Sequence, residues 1–385
     1  MKIFKRTILI LILLITLVYV TNITSMPDSI ILFKGEELNL NTVFGIYINE
    51  EKSEYQSIQA SSRIESANTV ESKTIALSLF NIVDIKNIEV NTIENTTVIP
   101  LGNTIGLKLY TSGVLVVGMT EIEGQKPYEG TGIEEGDMIV EIDEKEITCT
   151  DELIECVNDS NGEDLNIKYV RDGVEYVSNI EPIKTNANEY KLGLWVRDGA
   201  AGIGTISYYE PQTKKFAALG HGIIDIDTED LITISSGELV TSKVSSIVKG
   251  EEGVPGEIKG SIGNSKTIGN VGINTEFGIY GNLTNTAELN IDTNNELEVA
   301  TRSEIQTGKA KILLNLENEV RKEYEIEITK IYRNNNSDNK SMLIKVKDEK
   351  LLELTGGIVQ RNEWSTNCAK QQICRRSNTC FSIRP

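Results

Sequence analysis

Histidine and metal-binding cysteine patterns are almost absent from this chain. Only one histidine, His221, occurs among 385 residues, and none of the five cysteines forms a C-x-x-C pair. The sequence therefore offers no basis for a zinc site or for histidine-rich metal chemistry, and we expect neither a metal nor a cofactor. Any catalysis that needs an imidazole has only His221 available.

Basic residues are also scarce. Lysine and arginine number 38 against 57 aspartates and glutamates, which gives a net charge of -19. A surface of this charge repels phosphate backbones, so nucleic acid is not an expected partner. The hydrophobic fraction of 39% and charged fraction of 25% exclude a disordered chain. The length allows two or three domains of about 150 residues each.

The N-terminus carries an export signal. Three basic residues within the first six positions precede an apolar run from Ile8 to Val20. Counted from Thr7 to Ile23, the run reaches the minimum of about 17 residues for a membrane span. No small-x-small cleavage site follows, which favours a retained signal anchor over residues 1–25 against a cleaved signal. Either alternative exports the rest of the chain, because the basic flank stays in the cytoplasm.

Residues 26–97 form a predicted N-terminal β region and linker without recognisable chemistry. β-rich runs at Ser29–Phe33, Val43–Ile48 and Thr74–Val83 predict strands. The polar stretch from Asn49 to Lys73 predicts a loop or linker.

Residues 98–186 contain an informative order of predicted elements. The expected strands are Ile105–Leu109, Gly113–Val117 and Met138–Ile142, followed by a helix at Asp151–Val157 and a hairpin of Leu165–Val170 with Val174–Ile180. Thr150 or Asp151 is available to cap the helix. Cys149 and Cys156 lie seven residues apart, too far along a helix for a disulfide, so both are predicted to be free thiols.

This order, with the turn Gly132-Ile133-Glu134-Glu135-Gly136-Asp137, resembles the PDZ domains of bacterial exported proteases. PDZ domains bind extended peptides by strand addition at a sheet edge, often holding a terminal carboxylate on backbone N–H groups. The resemblance implies a binding loop at Asn103, Thr104, Ile105, Gly106 and Leu107, and an opposite wall at Leu153 and Ile154. The alternative for Leu153 and Ile154 is that they fill the domain core.

From residue 187 the chain becomes glycine-rich, and its single histidine stands in a notable setting. His221 lies between Gly220 and Gly222 at the end of an apolar run. Such a turn leaves open space around the ring, as a general base requires. The alternative is a surface histidine without a role.

Five motifs of this region resemble stage IV sporulation protein B, a family of PDZ-containing serine peptidases of endospore-forming bacteria. They are Ala217–Ile223, Glu238–Lys243, Val248–Gly250, Pro255–Ile258 and Thr355–Gln360. The resemblance implies a mostly-β protein with an N-terminal membrane anchor, a PDZ domain and a chymotrypsin-like β-barrel peptidase domain at residues 187–360. It also implies that His221 is the general base, that Asp348 orients it, and that a serine in the sequence G-M-S-G, directly after Gln360, is the nucleophile.

The family's activity implies a site of action and partners as well. Its members are exported from the forespore into the space between two membranes. There they cleave the regulatory subunit of a membrane-bound intramembrane protease complex, which allows a sigma factor to mature. The PDZ domain is implicated in recognising that protein substrate.

The expected nucleophile is missing from this chain. After Gln360 the sequence reads Arg361-Asn362-Glu363-Trp364-Ser365, so that Glu363 occupies the serine position. A carboxylate there cannot begin acyl transfer as serine does, and its charge opposes a developing oxyanion. Ser365 and Cys368 are weaker alternatives outside the motif. A catalytically inactive PDZ protein that binds peptides is therefore the second hypothesis.

The tail, residues 361–385, differs from the rest of the chain. It is basic, holds three of the five cysteines and lacks apolar periodicity. Reading its codons one nucleotide later permits Gly-Met-Ser-Gly directly after Gln360. We therefore predict that the tail is a frameshift product and that the peptidase domain is C-terminally incomplete.

An acidic run follows the histidine motif: Asp225-Ile226-Asp227-Thr228-Glu229-Asp230. It lacks the glycine and the bidentate glutamate spacing of a calcium loop, which favours a solvated loop over a calcium site.

Overall fold

The computed structural model describes residues 2–38, 40, 42–50, 71–225, 227–251, 254, 256–262, 265–300, 304–317, 320–332, 342–357, 359–360, 372–375 and 379–382. Strands dominate these residues, which confirms the predicted mostly-β class. The predicted loop or linker at 49–73 lies mostly outside the described residues.

The N-terminal unit joins one long helix to a small sheet. Its elements are α1 (Lys2–Ser25), β1 (Ser29–Phe33), β2 (Ile46–Glu50), β3 (Glu71–Leu79) and β4 (Val83–Ile93). The sheet order is β1-β4-β3-β2, with β1 parallel to β4. The predicted strand Thr74–Val83 is wrong in its second half, because Phe80 and Asn81 adopt φ values of 51° and 57° and reverse the chain.

Helix α1 contains a candidate membrane span at Ile3–Thr24, 22 residues long. Its mean hydropathy is 2.3, and it is not buried in the rest of the chain. This length and composition suit a membrane-crossing helix, and they are shared by export signals. The helix is therefore consistent with the predicted signal anchor.

The next unit contains the elements β5 (Thr97–Pro100), β6 (Thr104–Met119), β7 (Met138–Ile142), β8 (Lys145–Glu146), α2 (Thr150–Asp159), β9 (Leu165–Arg171), β10 (Val174–Ile180), β11 (Ile183–Lys184) and β12 (Tyr190–Lys191). The predicted strand Met138–Ile142 and the predicted hairpin are found. The two strands expected at 105–109 and 113–117 are instead one continuous strand, β6. A core of Val114, Ile139, Leu153, Val157 and Ile167 lies between the sheet and α2.

A buried ion pair fixes the glycine-rich turn before β7. The Asp137 side chain is 0% exposed and accepts hydrogen bonds from Arg171 Nε (2.7 Å) and Arg171 Nη2 (2.8 Å). Its Oδ2 also accepts from the Glu134 N–H at 2.8 Å. Hydrogen bonding to Asp137 holds the pKa of Arg171 above its usual range.

A second set of strands follows: β13 (Leu194–Glu210), β14 (Lys215–Ala218), β15 (Ile234–Thr241), β16 (Lys243–Val248), β17 (Gly256–Ser261), β18 (Thr267–Thr275), β19 (Gly278–Leu283) and β20 (Leu297–Glu298), with a 3₁₀ turn at Ala287–Leu289. Six strands pair antiparallel in the order β6-β15-β18-β19-β14-β13, and β13 pairs back to β6. These pairings close a ring around a core that includes Leu107, Phe216, Leu239 and Ile279. A barrel thus forms, and β6 belongs to both this barrel and the preceding unit.

The last elements enclose another core. They are β21 (Gly308–Glu317), β22 (Val320–Ile331), β23 (Met342–Val346), α3 (Glu349–Thr355), β24 (Val359–Gln360), β25 (Gln372–Arg375) and β26 (Thr379–Ser382). The sheets β16-β17-β24 and β21-β22-β23 contribute to one cluster with α3, which includes Ile258, Ile312, Tyr324 and Leu351. Strands β25 and β26 pair with each other. The incompleteness of this unit stays a prediction.

Candidate functional site

His221 lies on a strained turn directly after β14. Leu219 has a φ of 62° and Gly220 a φ of 126°, the latter a conformation that side chains rarely allow. Leu219 is buried in the barrel core, so the strained backbone is held by packing on one side. A Cβ on Gly222 would lie 2.1 Å from Leu231 Cδ1 and 2.7 Å from the Thr275 carbonyl oxygen. Both flanking glycines are thus required by the turn, which leaves the imidazole half-buried.

The ring of His221 is oriented by its own neighbour. Nδ1 lies 2.6 Å from the carbonyl oxygen of Gly222. Because a carbonyl only accepts hydrogen bonds, Nδ1 carries the proton in this contact and the neutral ring has its lone pair on Nε2. This is the tautomer that a general base uses to deprotonate a hydroxyl.

We expect nuclear magnetic resonance to detect this tautomer directly. His221 is the only histidine, so one long-range ¹H–¹⁵N pattern reports on it without assignment. Above the pKa of the imidazole, the neutral ring should show the Nδ1–H pattern, because the Gly222 carbonyl stabilises that proton. The His221→Gln variant, which lacks the pattern, is the control. A predominant Nε2–H pattern would contradict the orientation described here.

Asn274 of β18 fixes the segment that follows His221. Its Oδ1 accepts from the Ile223 N–H at 2.9 Å, and its Nδ2 donates to the carbonyl oxygens of Ile223 (2.8 Å) and Ile232 (2.9 Å). Asn274 is 9% exposed. Its three hydrogen bonds thus clamp both ends of the loop 223–232 to the barrel.

The acidic run is bound to β13 by an ion pair. Asp225 is 2% exposed and its carboxylate contacts Arg197, which also contacts Asp227 at 2.9 Å. Asp225 Oδ1 accepts from the N–H groups of Asp227 (2.9 Å) and Thr228 (3.2 Å). The predicted solvated loop is therefore wrong for Asp225, because its charge is buried and paired. Asp227, Glu229 and Asp230 are exposed as predicted, and Ile226 lies outside the described residues.

Asp348 has a structural role in the described chain. It caps α3, with Oδ1 accepting from the Leu351 N–H at 3.0 Å and Oδ2 lying 3.5 Å from the Glu325 nitrogen. Among the described residues no contact joins Asp348 to His221, and the Gly222 carbonyl occupies Nδ1. The orienting role of Asp348 stays a prediction.

The nucleophile position follows the last strand of the second core. β24 pairs parallel with β17 through Gly256 with Val359 and Glu257 with Gln360. The chain thus reaches Gln360 held in a sheet. Glu363, Ser365 and Cys368 all lie outside the described residues.

The residues predicted as the peptide-binding loop lie within the barrel. From Thr104 to Leu107 strand β6 is paired with β13 on one side, and Ile105 and Leu107 are paired with β15 on the other. Ile105 and Leu107 are 0% and 1% exposed, and Asn103 Nδ2 contacts the Leu289 carbonyl at 3.4 Å. A peptide could add a strand here only if β13 or β15 moved away.

An open strand edge faces α2 at another place. Residues Leu194 to Arg197 of β13 pair with β6, and among the described residues no strand pairs with the opposite edge of this segment. Leu194 and Val196 pack against the same core as Leu153 of α2. Leu153 is buried, whereas Ile154 is 51% exposed. The segment and the helix therefore lie side by side, and we call the surface along their boundary the β13–α2 groove.

Both ends of the β13–α2 groove are fixed by hydrogen bonds. At one end Asp198 Oδ2 accepts from the Thr150 N–H at 2.7 Å, and at the other Asn158 Oδ1 accepts from the Tyr190 N–H at 3.0 Å. The expected cap at Thr150 or Asp151 is wrong, because α2 begins at Thr150 and the oxygen at its N-terminus comes from Asp198. Cys149 and Cys156 are free, as predicted.

Comparison with known protein families assigns both units. The family SpoIVB peptidase S55 matches residues 188–367, which include His221, the acidic loop and β24. The PDZ domain family matches residues 90–181, which include β6 to β10 and α2. No curated protein matches the chain.

Solved structures also match. The PDZ domain of an SdrC-like protein from Listeria monocytogenes is 20% identical and covers 22% of this chain and 87% of its own, with a TM-score of 0.20. The corresponding Listeria innocua domain is 22% identical over 22% and 93% of the two chains, also at 0.20. A Geobacillus thermodenitrificans protein is 18% identical over 22% and 97%, at 0.19.

A PDZ domain and an S55 peptidase domain thus occur on one chain in the order that the sequence motifs predicted, with the histidine turn inside the peptidase match. The chain therefore carries an S55 peptidase domain of the SpoIVB type behind a PDZ domain, which confirms the predicted resemblance to SpoIVB-like PDZ-containing serine peptidases.

Proposed function

We propose that the gene encodes an exported, N-terminally anchored serine endopeptidase in which His221 is the general base. The observation that carries this proposal is the turn at His221, which directs Nδ1 to a carbonyl and gives Nε2 the lone pair. The substrate is a protein that regulates a membrane-bound intramembrane protease complex, and cleavage in the forespore intermembrane space activates a sigma factor. These finer points rest on the family resemblance.

The chain as printed is proposed to be inactive. With Glu363 at the serine position, the G-M-S-G serine that His221 would deprotonate is replaced, and a triad without its nucleophile retains only residual catalysis. The DNA sequence at codon 361 tests the cause. Codons compatible with Gly-Met-Ser-Gly one nucleotide later support a frameshift, and incompatible codons exclude it.

The second candidate function is peptide binding without catalysis. The open edge of β13 beside α2 favours it, because an unpaired edge next to an apolar helix face suits an added peptide strand. This function does not depend on residues after Gln360. It would therefore persist in the printed chain.

We expect the Ile154→Lys variant to bind peptides about tenfold more weakly than the unmodified chain, a loss of about 1.4 kcal/mol. Ile154 is 51% exposed beside the groove, so the change removes an apolar contact without disturbing the core. The probe is a fluorescent decapeptide selected from a library of free C-termini, measured by anisotropy. Val174→Lys on β10, at a residue 53% exposed, is the matched control. Equal affinities for both variants would contradict binding in the β13–α2 groove.

A further inference from the structure

An exposed apolar tip projects from the N-terminal sheet. Phe44, Phe80, Ile82 and Val83 are 85%, 51%, 82% and 56% exposed. Phe44 lies in the turn before β2, Phe80 and Ile82 lie in the turn between β3 and β4, and Val83 is the first residue of β4. The rings of Phe44 and Phe80 meet edge to face at 6.5 Å, and the Phe80 N–H donates to the Gly45 carbonyl at 2.6 Å. The two turns therefore form one surface, which we call the apolar tip.

The apolar tip lies beside α1, not beyond its end. The Tyr19 hydroxyl donates to the Phe44 carbonyl oxygen. Tyr19 and Ile23, four residues apart and therefore on one helix face, pack against the core of the sheet. Near the end of the helix, Lys86 Nζ donates to the Met26 carbonyl at 2.6 Å. The sheet therefore contacts the helix segment at two positions along its axis, near Tyr19 and near Met26.

These two contacts define the direction of the β3–β4 hairpin. From Lys86 to Val83, where β4 begins, the strand advances by about 10 Å. From Met26 back to Tyr19 the helix extends by about 10 Å. The hairpin therefore runs alongside α1 towards its N-terminus, and its tip lies level with the last two turns of the helix.

The length of α1 sets the depth of the tip in a membrane. The candidate span Ile3–Thr24, which has Lys5 and Arg6 near its inner end, extends about 33 Å, close to the hydrocarbon thickness of about 30 Å. If this stretch spans the bilayer, Tyr19 lies five residues, about 7 Å, inside its outer end. Apolar groups that lie in a membrane interface reach about 5–10 Å into it. The apolar tip therefore lies at the depth of the membrane interface.

We propose that the apolar tip inserts into the outer leaflet of the membrane that α1 crosses, and that it holds the N-terminal sheet against the lipid surface. The proposal rests on the proposed retention of α1 as an anchor. A lipid surface explains why four apolar side chains are exposed together at the depth where the helix leaves the bilayer. Without such a cover, a patch of this kind on a soluble surface promotes association.

Depth-dependent quenching of a single tryptophan tests the proposal. The full chain carries Trp195→Phe and Trp364→Phe, which remove both native tryptophans, and is reconstituted in phosphatidylcholine–phosphatidylglycerol nanodiscs at one chain per disc. Ile82→Trp reports on the tip, Leu13→Trp on the helix, and Leu343→Trp, at a residue 54% exposed on β23, is the distant control. Lipids brominated at carbons 6 and 7 serve as quenchers.

We expect bromolipids to reduce Ile82→Trp emission to roughly half, because a tip in the interface contacts the upper acyl chains. Leu13→Trp should also be quenched, and Leu343→Trp should not. Quenching of Leu13→Trp without Ile82→Trp would overturn the proposal and leave the anchor intact. Absence of quenching at Leu13→Trp would overturn the anchor itself. A blue-shifted but unquenched Ile82→Trp would show that protein covers the tip, which also overturns the proposal.

Discussion

The frame-corrected chain should react with a fluorophosphonate probe, whereas the printed chain should not. One nucleotide later, the codons after Gln360 are permitted to encode a serine where Glu363 now stands, and the frame-corrected chain carries that serine. Its hydroxyl can then be deprotonated by Nε2 of His221, since Nδ1 is held by the Gly222 carbonyl. In the corrected chain, His221→Ala should slow labelling by about a thousandfold or more. In-gel fluorescence after timed exposure measures both rates.

Asp348→Asn in the same corrected chain separates two roles of that residue. Asparagine caps helices about as well as aspartate, so α3 should be retained and the melting temperature unchanged. If Asp348 orients His221 when the nucleophile is present, labelling should still fall by about 10⁴-fold. Unchanged labelling would limit Asp348 to capping. Labelling of the printed chain would contradict its proposed inactivity, and an unreactive corrected chain would contradict the peptidase proposal.

The sequence predicted correctly those strands and turns that are determined by the pattern of a few consecutive residues. The strands Ser29–Phe33 and Met138–Ile142, and the hairpin around Asp172, were found because alternation and turn chemistry act locally. Strand β6 was divided in the prediction into Ile105–Leu109 and Gly113–Val117, with Tyr110-Thr111-Ser112 left between them. In the structure the Thr111 hydroxyl donates to the Gly113 carbonyl at 2.6 Å, and β13 pairs along both halves of β6. Tertiary pairing overrides the local preference.

The sequence predicted only those parts of the candidate site whose residues are neighbours along the chain. His221 was identified because both of its flanking glycines are visible in one motif. Asn274 acts on residues 51 and 42 positions away, and Arg197 pairs with Asp225, 28 positions away. No local pattern reveals such contacts. The β13–α2 groove did have a signal, since Leu192-Gly193-Leu194 repeats the Ile105-Gly106-Leu107 pattern of the predicted binding loop.

Removing the buried carboxylate of Asp137 should lower the free energy of unfolding of the PDZ domain more than removing an exposed carboxylate does. Asp137→Ala leaves Arg171 without its bidentate partner and the Glu134 N–H without an acceptor. Arg171 is 30% exposed and keeps its ion pair with Glu134, so the cost arises from the lost hydrogen bonds to the buried carboxylate, which typically amount to about 1–3 kcal/mol. We expect a loss of this size in the free energy of unfolding. Urea titration of the full chain, followed by tryptophan fluorescence from Trp195 beside this domain, measures it.

The matched control is an ion pair of the same kind on the surface. Glu323 pairs with Lys311 at 2.7 Å, with both side chains nearly half exposed. Because solvent screens such a pair, Glu323→Ala should lower the free energy of unfolding much less than Asp137→Ala does. The contrast isolates burial as the cause, since both variants remove one carboxylate. An equal, small loss of unfolding free energy for both variants would contradict this prediction. It would mean that water reaches the Asp137 turn and that backbone hydrogen bonds alone hold the turn in place.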